Sequence, residues 1–221
     1  MQEINFLSKY QKATTRDYVQ RVVEHDKAEC ATVAKQWGED YWDGDRKYGF
    51  GGYSYDGRWL PVAREIAEHY ELSPGDRILD IGCGKAFLLY EFTQAVPGVE
   101  VAGLDISDYG IANAKEEVRS ELALGNAADR LPWNDDSFDF VYSINTFHNL
   151  PISELKKAVQ EMERVGRGKG WICVESYRNE REKANMLYWQ LTCESFYRPE
   201  EWAWVLKDWG YTGDYGFIFF E

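Results

Sequence analysis

The sequence predicts an α/β fold, a parallel sheet covered by helices on both faces, and three observations predict it. After Gly75, short apolar runs recur in order: "RILDI", "VEVAGLDI", "ELALGNA", "FDFVYSI" and "GWICVES". Stretches of helical length and pattern stand among them, "FLLYEFTQAV", "SDYGIANAKEEV" and "ISELKKAVQEMERV". Strand-length apolar runs alternating with such helices read as βαβ units, which build a parallel sheet. Finally, 221 residues of which 44% are hydrophobic can bury one sizeable core but are few for two catalytic domains.

The elements follow in chain order. From Thr14 to about Trp42 the chain is charged and helix-friendly. Thr14 or Thr15 can cap there, and Tyr18, Val19, Val22 and Val23 recur at helical spacing, which predicts one or two amphipathic helices. "RKYGFGGYSYDGRW" (46–59) mixes glycines with aromatic rings. "LPVAREIAEHYEL" then gives a helix with Pro61 in its first turn and Val62, Ile66 and Tyr70 on one face, stopped by "SPGD". The strand and helix alternation runs on to Glu175. Beyond it come an aromatic-rich segment (Tyr188, Trp189, Phe196, Tyr197), a helix from Pro199 to Trp209 and a last strand, "YGFIFFE". No internal repeat and no second domain is visible.

Composition excludes several function classes. A formal charge of −13 repels phosphate backbones, so a nucleic-acid partner is disfavoured. Cys30, Cys83, Cys173 and Cys193 are scattered, with no C-x-x-C pair and no histidine at ligand spacing, so neither a metal site nor a disulfide framework is expected. The amino terminus lacks the order of a signal peptide and no apolar run is long enough to cross a bilayer. A cytoplasmic chain without membrane insertion is the expectation.

The best-defined motif is "ILDIGCGKAF" (78–87), where a strand containing Asp80 turns through Gly82 and Gly84 into a helix. Such glycines let backbone approach a ligand, and the helix start offers unpaired N–H groups. A P-loop would need Ser or Thr after Lys85, where Ala86 stands, and a dinucleotide fingerprint would need glycine at Phe87. What remains, an acidic strand end followed by G-x-G, resembles motif I of the class I S-adenosylmethionine-dependent methyltransferases, small-molecule branch. "VAGLDIS", "GNAADRLPWNDDSFDFVYS" and "QEMERVGRGKGWICVES" resemble that family's later stretches in the right order, over residues 75 to about 175. The family's third motif glycine is Ala86 here, and Asn126 replaces its usual acid.

The resemblance implies a Rossmann-like parallel sheet with an antiparallel last strand and an N-terminal helical lid. Residues 1–59 would be the helices and lid, and 60–221 the catalytic core, with a substrate-cover insertion at about 180–198. It implies S-adenosyl-L-methionine as cofactor and S-adenosyl-L-homocysteine as product. Asp80, Gly82, Cys83 and Gly84 would form the first cofactor turn, Asp105 would meet the ribose and Asn126 the adenine, with Ile106, Ala127 and Ser143 as further cofactor contacts. Tyr53 and Arg58 would be lid contacts, Arg58 pairing with the cofactor's carboxylate. His148, after the fourth strand, is the candidate base, with a packing role as the alternative. Arg178, after the fifth strand, could hold an anionic substrate group.

The acceptor is expected to be a small molecule, natural product, quinone or surface sugar. Oxygen is slightly favoured over nitrogen, because "SINT" stands where an N/D-P-P-Y/F tetrad would serve amino-methylation. Two other classes remain open: a lyase, cyclase or aminocarboxypropyl transferase using the same sulfonium, and a non-catalytic cofactor-binding module. The intact Asp80, Gly82, Gly84 and Asp105 speak against the module. The oligomeric state is unknown.

Overall fold

The structure, a computed structural model, describes residues 1–8 and 16–221. The expected caps Thr14 and Thr15 lie outside the described residues. In chain order the elements are α1 (Tyr18–Glu24), α2 (Lys27–Ala34), α3 (Glu39–Trp42), α4 (Leu60–His69), β1 (Arg77–Ile81), α5 (Phe87–Ala95), β2 (Glu100–Asp105) and α6 (Asp108–Ala112). They continue with β3 (Leu122–Leu124), β4 (Phe140–Ile144), α7 (Ile152–Val165), β5 (Gly170–Glu175), α8 (Glu180–Trp189), α9 (Pro199–Asp208) and β6 (Asp214–Ile218). Asp17 and Asp26 cap α1 and α2, each side chain accepting from an N–H three residues on.

The six strands lie in the order β3-β2-β1-β4-β5-β6, and every pair is parallel. Alternation along each strand splits the core in two. Ile78, Phe140, Tyr142 and Trp171 face α4 and α5, whereas Leu79, Val141, Ile172 and Val174 face α7 and α9. A strand buried on both faces must be apolar at nearly every position, which is why β5 is buried throughout.

The antiparallel last strand is corrected: β6 runs parallel to β5, from Trp171 opposite Asp214 to Glu175 opposite Ile218. Antiparallel pairing suits a tight hairpin, but here α9 crosses the sheet face between the two strands, and such a crossover returns the chain parallel. The outer edge of β6 is covered by the amino terminus. The Ile4 N–H donates to the Tyr215 carbonyl (2.7 Å), the Tyr215 N–H to that of Gln2 (3.0 Å), and Phe6 is buried against Trp171. Among the described residues no helix is long and apolar enough to cross a membrane.

Candidate functional site

Strand order reverses between β1 and β4, and in open parallel sheets ligands bind beyond the carboxyl ends of the strands at such a point. A cavity of about 330 Å³ opens there. Its floor is the turn after β1, where the N–H groups of Gly82 and Cys83 both donate to the Leu104 carbonyl (2.7 and 3.1 Å). Gly82 has φ +86° and Gly84 φ +53°. Any side chain at Gly82 would run into Thr146 at the end of β4, and one at Gly84 into the Trp42 ring. The turn is therefore tied to glycine by backbone sign and by close neighbours on both sides.

Asp80 is 5% exposed and faces this cavity. The Tyr142 hydroxyl lies beside it without closing a hydrogen bond, and burial holds the Asp80 carboxyl up at about 8. A buried carboxyl open only to a cavity suits a cationic ligand group. Asp105 ends β2; one of its oxygens accepts the Gly84 N–H (2.7 Å) and the other the Ser107 N–H (2.8 Å). Each oxygen keeps one lone pair for a ligand hydroxyl. Burial raises its pKa, against the pull of those N–H groups. Ile106, Asn126 and Ala127 line the side of the cavity, and the Asn126 side-chain Oδ1 accepts from the Ala128 N–H (2.9 Å), which leaves the side-chain NH2 to donate.

The opposite wall comes from the amino-terminal segment. Trp37, Tyr41, Trp42, Phe50, Tyr53 and Trp59 all line the cavity. Their rings brace one another: Trp42 stacks on Phe50 (5.3 Å, 9°) and Tyr53 on Phe87 of α5 (4.9 Å, 29°). Trp42 also donates its indole N–H to Ser107 (2.8 Å), fastening the wall to the end of β2.

Asp80, Gly82, Cys83, Gly84, Asp105, Ile106, Asn126, Ala127 and Tyr53 thus share one cavity, and three expected contacts do not line it. Arg58 is turned to the surface by Asp56, two residues before it, whose carboxylate accepts from its guanidinium (2.9 and 2.7 Å). Ser143 is buried between strands, its hydroxyl donating to the Ile81 carbonyl (2.8 Å). His148 is 2% exposed and lies behind the wall that Asn145, Thr146 and Asn149 present. Its Nδ1 accepts the Glu175 N–H (3.3 Å), and burial lowers its pKa to about 3. Buried outside the cavity lining, with Nδ1 already accepting a main-chain N–H, His148 fits the packing alternative better than the base reading.

Cys193, His148 and Glu175 come within 4.8 Å of one another. Because Nδ1 accepts from a main-chain N–H, the neutral imidazole carries its proton on Nε2, the nitrogen that a metal shared with Glu175 would need. The expected cover at 180–198 also lies elsewhere: none of it lines the cavity. It braces the β4 end from behind, with Ser195 donating to the Leu150 carbonyl (2.7 Å) and Thr192 to Asn149 (2.8 Å). Arg178 pairs with Glu182 and Glu221 at the surface.

Reading the sequence missed Trp37, Tyr41, Trp42, Asn149 and Glu154. The aromatic cluster Trp37, Tyr41 and Trp42 just upstream of the glycine-rich stretch was the available signal for the first three. Nothing local marks the others.

Fold and site together define a class I S-adenosylmethionine-dependent methyltransferase domain. The family described as "Methyltransferase domain" matches residues 72–210, and the chain belongs to it. A demethylmenaquinone methyltransferase of Symbiobacterium thermophilum is 33% identical over 129 residues, covering 54% of this chain and 50% of that protein. One of Bacillus cytotoxicus is 35% identical over 121 residues, 51% and 50% of the two chains. The chain thus spans about half the length of the curated relatives it matches. The YcgJ protein of Bacillus subtilis shares the fold, with a TM-score of 0.54 at 22% identity over 70% of this chain and 68% of that one.

Proposed function

We propose that the protein transfers the methyl group of S-adenosylmethionine to a small, uncharged, planar acceptor, with oxygen favoured over nitrogen. One observation carries the acceptor class: the described residues lining the cavity are mostly aromatic and apolar, with carboxyl groups at Asp80, Asp105 and Glu154, and include no Lys, Arg or His. An anionic acceptor would find no cationic side chain among them and would share their amide and hydroxyl groups with the cofactor's own carboxylate. A flat ring would find Tyr41, Phe50 and Trp59. The relatives named demethylmenaquinone methyltransferases act, by their name, on a quinone-class acceptor, which has this shape. The β4 end, Ser143-Ile144-Asn145-Thr146, supports oxygen over nitrogen because it lacks the amino-methylating tetrad.

When bound, the cofactor supplies an electrophilic methyl on a sulfonium. The chain's own residues fit it: Asp80 offers a carboxylate to the ammonium, Asp105 two lone pairs to ribose hydroxyls, and the Gly82–Gly84 turn a surface without side chains. The aromatic wall keeps water from the sulfonium. Asn145, held at φ +57° with its N–H on the Cys173 carbonyl, presents an amide at the β4 end where the acceptor would be oriented. With no histidine among the described lining residues, positioning carries the rate, and the proton of a hydroxyl acceptor passes to solvent as its oxygen takes the methyl group.

The test is product analysis after incubation with the cofactor and matched phenols and hydroquinones. S-adenosylhomocysteine together with a methylated neutral ring is the expected result. Methylthioadenosine would assign the cavity to the other sulfonium chemistries, and failure of the protein to bind cofactor would remove the reading.

A further inference from the structure

Lys85 follows the cofactor turn directly, yet it does not line the cavity and the P-loop role for it fails. Its side chain is 6% exposed. The ammonium reaches out of the turn into the amino-terminal segment, donating to both oxygens of Asp43 (2.7 and 2.6 Å) and to the Tyr53 carbonyl (2.9 Å). Asp43 accepts two further bonds, from the Tyr53 N–H (3.0 Å) and from the Tyr109 hydroxyl of α6 (2.9 Å). Burial pushes the Asp43 carboxyl up, but these donors outweigh it and keep its pKa below the ordinary value. Asp43 follows Trp42, and Tyr53 is the ring stacked on Phe87, so the ion pair joins both ends of the aromatic wall to the floor it covers.

We propose that Lys85 and Asp43 are a latch that positions the aromatic wall over the cofactor, Lys85 acting as a positioning residue through Asp43 and Tyr53. This rests on the cofactor reading of the cavity. Stability alone is a poor reason to bury the Lys85 ammonium against a partly exposed Asp43, because its desolvation offsets much of the attraction and an apolar residue would serve as well. A hinge is a better reason. The wall lies over one side of the cavity, and a wall that swings aside would admit a ligand as large as the cofactor. On opening, both charges return to water, where they are well solvated, and on closing five hydrogen bonds define one geometry.

A double-mutant cycle on the full chain tests the latch, with S-adenosylhomocysteine affinity read by calorimetry for Lys85→Met, Asp43→Asn and the pair. Each single change is expected to weaken binding about ten-fold, mainly through faster release, and the pair no more than the larger single effect. Ligand-dependent protection of residues 43–59 from proteolysis should vanish in these variants and return in Lys85→Arg. Unchanged affinity and protection in the single variants would overturn the latch, as would effects that multiply to about a hundred-fold in the pair. Should those variants not fold, Tyr109→Phe removes one hydroxyl from Asp43 at the surface. Reduced protection is then expected, and full protection overturns the proposal. If the unaltered protein binds no S-adenosylhomocysteine, the cofactor reading fails; if it binds and the variants match it, the latch alone fails.

Discussion

Asp80 and Asp105 end neighbouring strands, and the difference in their surroundings separates their roles. Asp105 is saturated by main-chain donors on one side of each oxygen, so its position is fixed before any ligand arrives. Asp80 has no such donors, and burial holds it up at about 8, which favours the neutral carboxyl until a cationic group approaches. An ammonium ligand favours the ionised form. Cofactor affinity should therefore rise with pH up to about 8, and Asp80→Asn should both weaken binding by about ten-fold or more and flatten that dependence. Calorimetry across pH checks it; a pH-independent affinity in the unaltered protein would remove Asp80 from the ammonium. His148 illustrates the limit of reading residues singly. Its type and its place after β4 suit a base, but nothing in "FHNL" reveals that the Glu175 N–H takes one ring nitrogen and that residues 192–195 seal it from behind. His148→Ala should cost about 2–4 kcal/mol of stability through a buried cavity and leave turnover per folded molecule within a few-fold. A loss of about 100-fold in turnover without loss of stability would restore the base.

At the scale of elements, the helix and strand order after Gly75 was legible because periodicity reports which faces are buried. The direction of β6 was not legible: "YGFIFFE" looks the same in either orientation, and only the path of α9 across the sheet decides it. The segment at 46–59 stood out as glycines and rings, but its partners did not, since Asp43 and Lys85 are distant in sequence and nothing local to either marks the other. Within the wall, Tyr53 joins the Trp42–Phe50 stack to Phe87. Truncating it in Tyr53→Ala should weaken S-adenosylhomocysteine binding about ten-fold and raise proteolysis at 46–59 in the bound state. Equal protection in both proteins would show that the wall closes without this ring.

Over the whole molecule, groups buried at the sheet's carboxyl edge make stability depend on pH, with Asp105 raised in the same direction as Asp80 and Glu175. Asp80 and Glu175 are both raised by burial to about 8, and His148 is lowered to about 3. A carboxyl raised in the fold contributes stability that is complete below its unfolded value and is lost as pH rises through about 8. His148, lowered, contributes stability that is complete above its unfolded value of about 6.5 and is lost as pH falls. Between about pH 6.5 and 8.5 the histidine contribution is constant while both carboxyl contributions fall, so the melting temperature of the free protein should decline across that window. Saturating S-adenosylhomocysteine, which favours ionised Asp80, should lessen the decline. A flat melting profile, with and without ligand, would contradict these burials.

The central claim is that one cavity, floored by Asp80 and Asp105 and roofed by residues 37–59, holds S-adenosylmethionine. Calorimetric titration of the protein and of Asp105→Ala with S-adenosylhomocysteine tests it most directly. One site per chain is expected in the unaltered protein, with affinity lost by roughly 1–3 kcal/mol when the ribose partner is removed. No binding, or equal binding by both proteins, would contradict it.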